Sequence, residues 1–245
     1  MKDHNNYIKN MSISNMKWFL QILSIAFLST ILSCGAEQSQ DYTSTTDERR
    51  KSLDPTGVNF LMKAQTAYEQ GAYGPALAFT DSVMTYDADL GDIYFLRGRI
   101  FTEMMHYENA VNSYDKVLSL DPNYQGARYN KANLAFIKGD NREAITLLKE
   151  EAERFPASRV WTQLGRVYAK INAVDSAEQS YEQAIQMDST NATAYMWLGQ
   201  LYEDEGQLDR ALEYSSEGLR LNPDNPNYRY IVGSELYRNG KVDSA

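Results

Sequence analysis

The side chains that could perform chemistry are few and widely separated. The chain of 245 residues has one cysteine, Cys34, and two histidines, His4 and His106. Zinc sites, cysteine–histidine nucleophiles and serine–histidine–aspartate triads each need several such residues together, and the region after the apolar leader lacks them. Adjacent carboxylates occur at Glu150–Glu151 and Glu203–Asp204, but solvated helix faces explain both pairs. We therefore expect no catalytic residues, no metal site and no cofactor.

Cys34 follows an apolar segment near the amino terminus. A lysine precedes the apolar run Trp18–Leu32, and Cys34 comes two residues after it. This length suits a secretory signal and falls short of the roughly 20 residues of a transmembrane helix. Residues 31–34, Ile-Leu-Ser-Cys, resemble the lipobox of bacterial lipoproteins, with isoleucine where leucine is more usual. The resemblance implies cleavage before Cys34 and acylation of this residue, which would hold the protein on a membrane.

This interpretation divides the chain into three parts. Residues 1–33 are predicted to be a signal peptide, with Met11 and Met16 as alternative start sites and an uncleaved signal anchor as the alternative to cleavage. Residues 34–54 are polar and without periodicity, so we predict a lipid-anchored flexible tether. Residues 55–245 form the predicted folded domain, because Asp54 followed by a proline is a helix start signal.

The folded domain shows an internal repeat. Small residues recur with gaps of 34, 34, 33, 34 and 34 residues at Ala64, Gly98, Ala132, Gly165, Gly199 and Gly233. A second ladder has the same gaps at Ala76, Ala110, Ala144, Ala177, Ala211 and Ala245. Two ladders with one period and one shared slip predict a repeating pair of helices. Small residues at these places allow close helix approach, which we expect any side chain larger than alanine to prevent.

The repeat resembles the tetratricopeptide repeat, W-x2-L-G-x2-Y … A-x3-F … P, which has 34 residues per unit. Residues 161–168 match the first half fully through Trp161, Leu164, Gly165 and Tyr168. The resemblance implies an all-α fold, a right-handed superhelical solenoid of antiparallel helix pairs. Five full repeats and a partial sixth occupy residues 57–90, 91–124, 125–157, 158–191, 192–225 and 226–245.

Two departures from the repeat lead to structural expectations. The third repeat is one residue short and has Glu151 where the others have valine, alanine or glycine. We expect an irregularity in its second helix or in the turn to the fourth repeat. The partial sixth repeat stops at Ala245, where a second helix should begin, so we expect the chain to be a fragment of a longer array.

The resemblance also implies a concave groove lined by positions 2, 5, 9, 12 and 13 of each repeat. In the middle repeats these positions combine aromatic rings with cations, and the fifth repeat places Glu203 and Asp204 at the far end. Such a mixture suits a peptide or helix with apolar anchors and a carboxylate. The predicted groove residues are Phe95, Arg99, Tyr129, Asn133, Phe136, Arg159, Arg166 and Lys170.

These expectations define a function class. The net charge of −9 argues against general nucleic-acid binding. The sequence predicts a lipid-anchored protein–protein interaction scaffold of the bacterial cell envelope, with a role in envelope assembly as an analogy with other repeat lipoproteins. Gly35 after the cysteine favours the outer membrane, with the domain facing the periplasm. The alternative is the docking or sensory segment of a longer signalling protein, and an enzyme is the least favoured class.

Overall fold

The computed structural model describes residues 45–238 and residue 240. The predicted signal peptide, Cys34 and most of the predicted tether therefore lie outside the described residues. The described part contains helices and no strand. The helices are α1 Thr45–Ser52, α2 Pro55–Glu69, α3 Tyr73–Met84, α4 Gly91–Glu103, α5 Tyr107–Leu120, α6 Ala127–Lys138, α7 Asn141–Arg154, α8 Ser158–Lys170, α9 Val174–Met187, α10 Ala192–Asp204, α11 Leu208–Leu221 and α12 Pro226–Arg238.

This architecture confirms the predicted all-α solenoid of helix pairs. Each repeat contributes a first and a second helix, from α2 and α3 in the first repeat to α10 and α11 in the fifth. The most extensive helix contacts lie within these pairs, and the next most extensive join each second helix to the first helix of the following repeat. The core is therefore a continuous series of small clusters along the solenoid.

Local sequence explains where the helices begin and turn. Asp54 caps α2 by accepting a hydrogen bond from the Thr56 amide at 2.7 Å, and Pro55 occupies the first helical position. Asn191 caps α10 in the same way, accepting from the Ala194 amide at 3.1 Å. The turns within the described pairs contain a residue with positive φ, at Gly71, Met105, Gly139, Asn172 and Gly206.

The small-residue ladder lies where the two helices of a repeat approach each other. A Cβ atom on Gly98 would lie 2.5 Å from Cε1 of Tyr114, and one on Gly165 would lie 2.5 Å from Cε1 of Tyr181. At these two places even alanine is too large, so the requirement is stricter than the sequence predicted. The third repeat tolerates Ala132 in the same column, where Leu148 replaces the tyrosine of its neighbours.

The third repeat is irregular at both ends. Its second helix, α7, has 14 residues like α5, α9 and α11, so that helix is regular. The missing residue belongs to the turn before α8, which spans residues 155–157 where the next turn spans 188–191. The expected irregularity in the turn to the fourth repeat is confirmed. The sequence did not predict a second irregularity, at the start of the repeat. Helix α6 begins at the third position of its repeat, whereas α4, α8 and α10 begin at the first.

The end of the predicted tether differs from the expectation. Thr45–Ser52 is helical, so the prediction of a flexible tether up to residue 54 is wrong over this stretch. Arg49 Nη1 lies 3.1 Å from Asp87 Oδ1, and Arg50 forms an ion pair with Asp92. The polar composition of this stretch suggested a tether. Composition does not reveal that these basic residues contact carboxylates about forty positions later in the chain.

Candidate functional site

The first helices of the repeats form the inner face of the solenoid. Contacts join α2 to α4, α4 to α6, α6 to α8 and α8 to α10, whereas successive second helices of the described part are farther apart. Helices that approach each other along a curved stack lie on its inner side, so the face of α2, α4, α6, α8 and α10 corresponds to the predicted groove.

Three arginines on this face, Arg99, Arg159 and Arg166, are called the groove arginines below. Each packs its guanidinium carbon over an aromatic ring of a neighbouring repeat. Arg159 lies 5.4 Å from the ring centre of Tyr129, and Arg99 lies 4.5 Å from that of Tyr68. These are cation–π distances, and they join first helices across the boundary between repeats.

Arg166 has a ring on each side. Its guanidinium carbon lies 5.7 Å from the ring centre of Phe136 in the third repeat and 4.7 Å from that of Trp197 in the fifth. Its Nη1 also donates to Gln163 Oε1 at 2.8 Å. One side chain thus connects three repeats at the centre of the face.

The groove arginines differ from other arginines of the domain in their partners. Arg97, Arg128 and Arg210 form ion pairs with carboxylates. None of the groove arginines has an ion pair with a carboxylate of residues 45–238. Their guanidinium groups are held by rings, and their charge is not neutralised by a direct partner.

The remaining predicted groove residues are placed less uniformly. Phe95 is half-buried and its ring centre lies 5.0 Å from that of Tyr124. Asn133 is half-buried, and its Oδ1 has no hydrogen-bond partner among the described residues. Lys170 is exposed at the last residue of α8. The rings of Phe95, Tyr129 and Phe136 pack partly against the core, so they are less exposed than we expected.

The expected acidic end of the groove is only partly free. Glu203 forms an ion pair with Arg238 of α12, and it accepts a hydrogen bond from Gln200 Nε2 at 2.9 Å. Asp204 is exposed and also accepts from Gln200, at 3.2 Å. The Arg238 contact comes from the next repeat, so sequence position within the fifth repeat could not reveal it.

Two elements of the site are not predictable from repeat position alone. Trp197 lies at the sixth position of its repeat, outside the positions used to select groove residues, although a tryptophan there is unlike the other repeats. Gly126 lies against Phe95 and Arg159, and its amide donates to the buried carboxylate of Glu151 at 2.7 Å. The signal that the sequence offers for this contact is Glu151 itself, which is an exception in its column.

The described residues contain no grouping of three or more histidine, cysteine, aspartate or glutamate side chains suited to a metal ion. None of the helices in this part of the chain combines the length and hydrophobicity needed to cross a membrane.

Comparison with known proteins agrees with the class of protein that this fold defines. Models of the tetratricopeptide repeat match residues 91–124 and 168–234. One match coincides with the second repeat, and the other runs from within the fourth repeat into the sixth. Over these residues the chain is similar to the tetratricopeptide repeat.

The chain is also similar to individual known proteins. The chain is 31% identical over 144 residues to ER membrane protein complex subunit 2 of Xenopus tropicalis, covering 56% of this chain and 47% of that protein. It thus spans about half the length of this relative. The solved structure of PilW, a type IV pilus biogenesis factor, matches with a TM-score of 0.69 and 14% identity, over 78% of this chain and 90% of that one. YrrB, a repeat protein with an unusual peptide-binding site, matches with a TM-score of 0.56 and 17% identity, over 76% and 96%. At these identities the two structures show a shared fold.

Proposed function

We propose that the protein is a non-catalytic scaffold of the bacterial cell envelope, anchored by acylated Cys34, whose groove binds a partner segment rich in acidic and apolar side chains. The partner is an extended peptide or a helix of another protein. The domain would present its groove to the periplasm from the outer membrane, in the assembly of envelope structures.

The observation that carries the groove proposal is the row of ring-supported arginines without carboxylate partners. Arg99, Arg159 and Arg166 occur on one face of a domain whose chain has 33 acidic and 24 basic side chains. In such an acidic chain, carboxylates are the commonest partners for arginine, and Arg97, Arg128 and Arg210 of the same domain form ion pairs with them. Their charge is therefore available to a ligand.

Ring contact also prepares these arginines for binding. A guanidinium that lies on an aromatic face keeps its N–H groups at the edge of the stack, where they can bind a carboxylate in the bidentate manner. Rotamer freedom is already restricted, so less entropy is lost when the ligand arrives. The adjacent rings of Tyr129, Phe136 and Trp197 provide apolar area for the neighbouring side chains of the ligand.

A display experiment tests this specificity even while the partner is unidentified. The full-length chain is immobilised and used to select from a random peptide library on phage, beside a variant with Arg99, Arg159 and Arg166 changed to glutamine. We expect peptides selected by the wild type to be enriched in aspartate and glutamate near aromatic or aliphatic residues. The triple variant should lose this enrichment.

A charge-matched control separates the site from net charge. Lys51, Lys138 and Arg142 are exposed cations outside the groove set, and their triple glutamine variant has the same net charge as the groove variant. It should select the same acidic peptides as the wild type. Equal acidic enrichment by the wild type and the groove variant would refute the groove proposal.

The anchor is tested independently. The proposal is supported by the apolar run before Cys34 and by the absence of any other cysteine. Cells that express the wild type should incorporate labelled palmitate into the protein, and Cys34→Ser should abolish the label and release the protein from the membrane fraction. Unchanged labelling of Cys34→Ser would eliminate the anchor, and recovery of the wild type with inner-membrane markers would eliminate the outer-membrane assignment.

A further inference from the structure

The buried carboxylate of Glu151 connects the irregular third repeat to the groove. Glu151 is 1% exposed and belongs to the second helix of its repeat, in a column where the other repeats have small or apolar residues. Its Oε1 accepts a hydrogen bond from the Gly126 amide at 2.7 Å, and Oε2 has no hydrogen-bond partner among the described residues. A carboxyl group buried in an apolar column is costly, so its presence needs a reason.

The hydrogen bond fixes an unusual backbone conformation at the groove floor. Gly126 precedes α6 and has φ 85° and ψ −8°, in the left-handed region that favours glycine. Helix α6 therefore starts at Ala127, two residues later in its repeat than α4, α8 and α10. Without an acceptor at Glu151, the buried Gly126 amide would be unpaired.

Gly126 lies between two predicted ligand-binding residues of different repeats. A Cβ atom on Gly126 would lie 3.7 Å from Cζ of Phe95 in the second repeat and 4.0 Å from Nη2 of Arg159 in the fourth. The glycine is buried beneath them. The ring and the guanidinium thus both approach the same backbone atom, which carries no side chain, and Tyr129 supports Arg159 from α6.

We infer that Glu151 is a positioning residue for the groove. By holding Gly126 in the left-handed conformation, it brings Phe95 and Arg159 together as one subsite for an acidic side chain of the ligand with an apolar neighbour. Glu151 does not itself touch the ligand. Supporting residues of this kind set the geometry that a binding group needs to within about an ångström. This inference rests on the proposed function, because it assumes that the groove binds acidic segments.

The variants follow from the chemistry of the hydrogen bond. Glu151→Ala removes the acceptor, whereas Glu151→Gln keeps an oxygen that can accept from Gly126. Val117→Ala is the matched control, since Val117 occupies the same column in the second repeat and is fully buried. The probe is the peptide most enriched in the display selection, synthesised with a fluorescent label, and its affinity is measured well below the unfolding temperature.

We expect Glu151→Ala and Arg159→Gln each to weaken the affinity about tenfold, as the loss of a charge-assisted hydrogen bond would. Glu151→Gln should stay within about threefold and Val117→Ala within about twofold of the wild type. The double variant Glu151→Ala, Arg159→Gln should bind no more weakly than Arg159→Gln alone, because Glu151 acts by bringing Arg159 to Phe95 and that pairing is already lost without Arg159. Wild-type affinity in Glu151→Ala, or equal losses in Glu151→Ala and Glu151→Gln, would overturn the inference.

A measurement without ligand covers the case in which no probe binds. The Nε–Hε resonance of Arg159 in nitrogen-15 NMR spectra should shift in Glu151→Ala and stay in place in Val117→Ala. An unchanged resonance in Glu151→Ala would overturn the positioning role. If Arg159→Gln binds the peptide as well as the wild type does, the proposed function fails. If only Glu151→Ala retains affinity, the proposed function stands and this inference fails.

Discussion

The close approach of the two helices at Gly165 makes a quantitative prediction for Gly165→Ala. The new Cβ would lie 2.5, 2.6 and 3.0 Å from Cε1, Cδ1 and Cζ of Tyr181, whose side chain is fully buried. Carbon atoms prefer about 3.5–4.0 Å, so the ring or the helix must move by roughly 1 Å. Overpacking of this kind costs about 1–3 kcal/mol, and the higher helix propensity of alanine offsets about 1 kcal/mol of it.

We therefore expect Gly165→Ala to lower the free energy of unfolding by up to about 2 kcal/mol. At about 2–4 °C per kcal/mol for a domain of this size, the melting temperature should fall by several degrees. Gly233→Ala is the matched control, because Gly233 occupies the same column of the sixth repeat and its Cβ would have no atom within 4 Å. That variant should gain about 0.5–1 kcal/mol from helix propensity alone.

Thermal and urea unfolding followed by circular dichroism measure both variants. Repeat arrays need not unfold in a single step, so the comparison should use both denaturants and the same probe signal. The double variant Gly165→Ala, Tyr181→Leu should recover stability, because the third repeat combines Ala132 with Leu148 in these columns. Equal shifts for Gly165→Ala and Gly233→Ala would refute the packing argument, as would failure of the leucine to compensate.

Three further predictions concern individual contacts. Asn191→Ala removes a helix cap and the side-chain donor of the hydrogen bonds to Ser158 and Thr162. The free energy of unfolding in urea should therefore fall by about 2 kcal/mol. An unchanged value would contradict the capping role. Burial raises the pKa of Glu235 above its ordinary value of 4.5, so the folded state retains the proton longer and ionisation favours unfolding. The stability of the wild type relative to Glu235→Gln should therefore fall as pH rises from about 4 to about 7, and a constant difference would exclude the effect. Arg50→Glu should increase hydrogen exchange in residues 45–52 with less than about 1 kcal/mol of lost global stability, and unchanged exchange would show that the Arg50 ion pair does not hold α1.

The repeating part of the fold was predictable because it depends on short-range rules. The two ladders located the helix pairs and the turns, and they assigned the missing residue to the third repeat, in either its second helix or the turn that follows; the structure places it in the turn. The Asp54 cap follows from backbone chemistry that acts within a few positions, and the small residues of the first helices follow from contact with the second helix of the same repeat. Such features recur in the sequence with a fixed period, and this period can be recognised without knowledge of contacts between distant residues.

Contacts between distant residues were decided only by the tertiary structure. Helix α1 has no apolar period, and its place depends on carboxylates about forty residues away. The groove residues were selected by position, but their pairing with Tyr68 and Trp197 arises where neighbouring repeats meet. The free carboxylate expected at Glu203 is neutralised by Arg238 of the next repeat.

Glu151 illustrates the division most directly. The sequence determined that this residue breaks its column, because the two ladders supplied a register against which the exception was visible. The sequence could not show that the carboxylate accepts a hydrogen bond from the amide of Gly126, 25 residues earlier. Nor could it show that Gly126 lies against Phe95 and Arg159. A helical period records which face of a helix is buried, whereas the partner of a buried charge is chosen by the packing of different repeats in three dimensions.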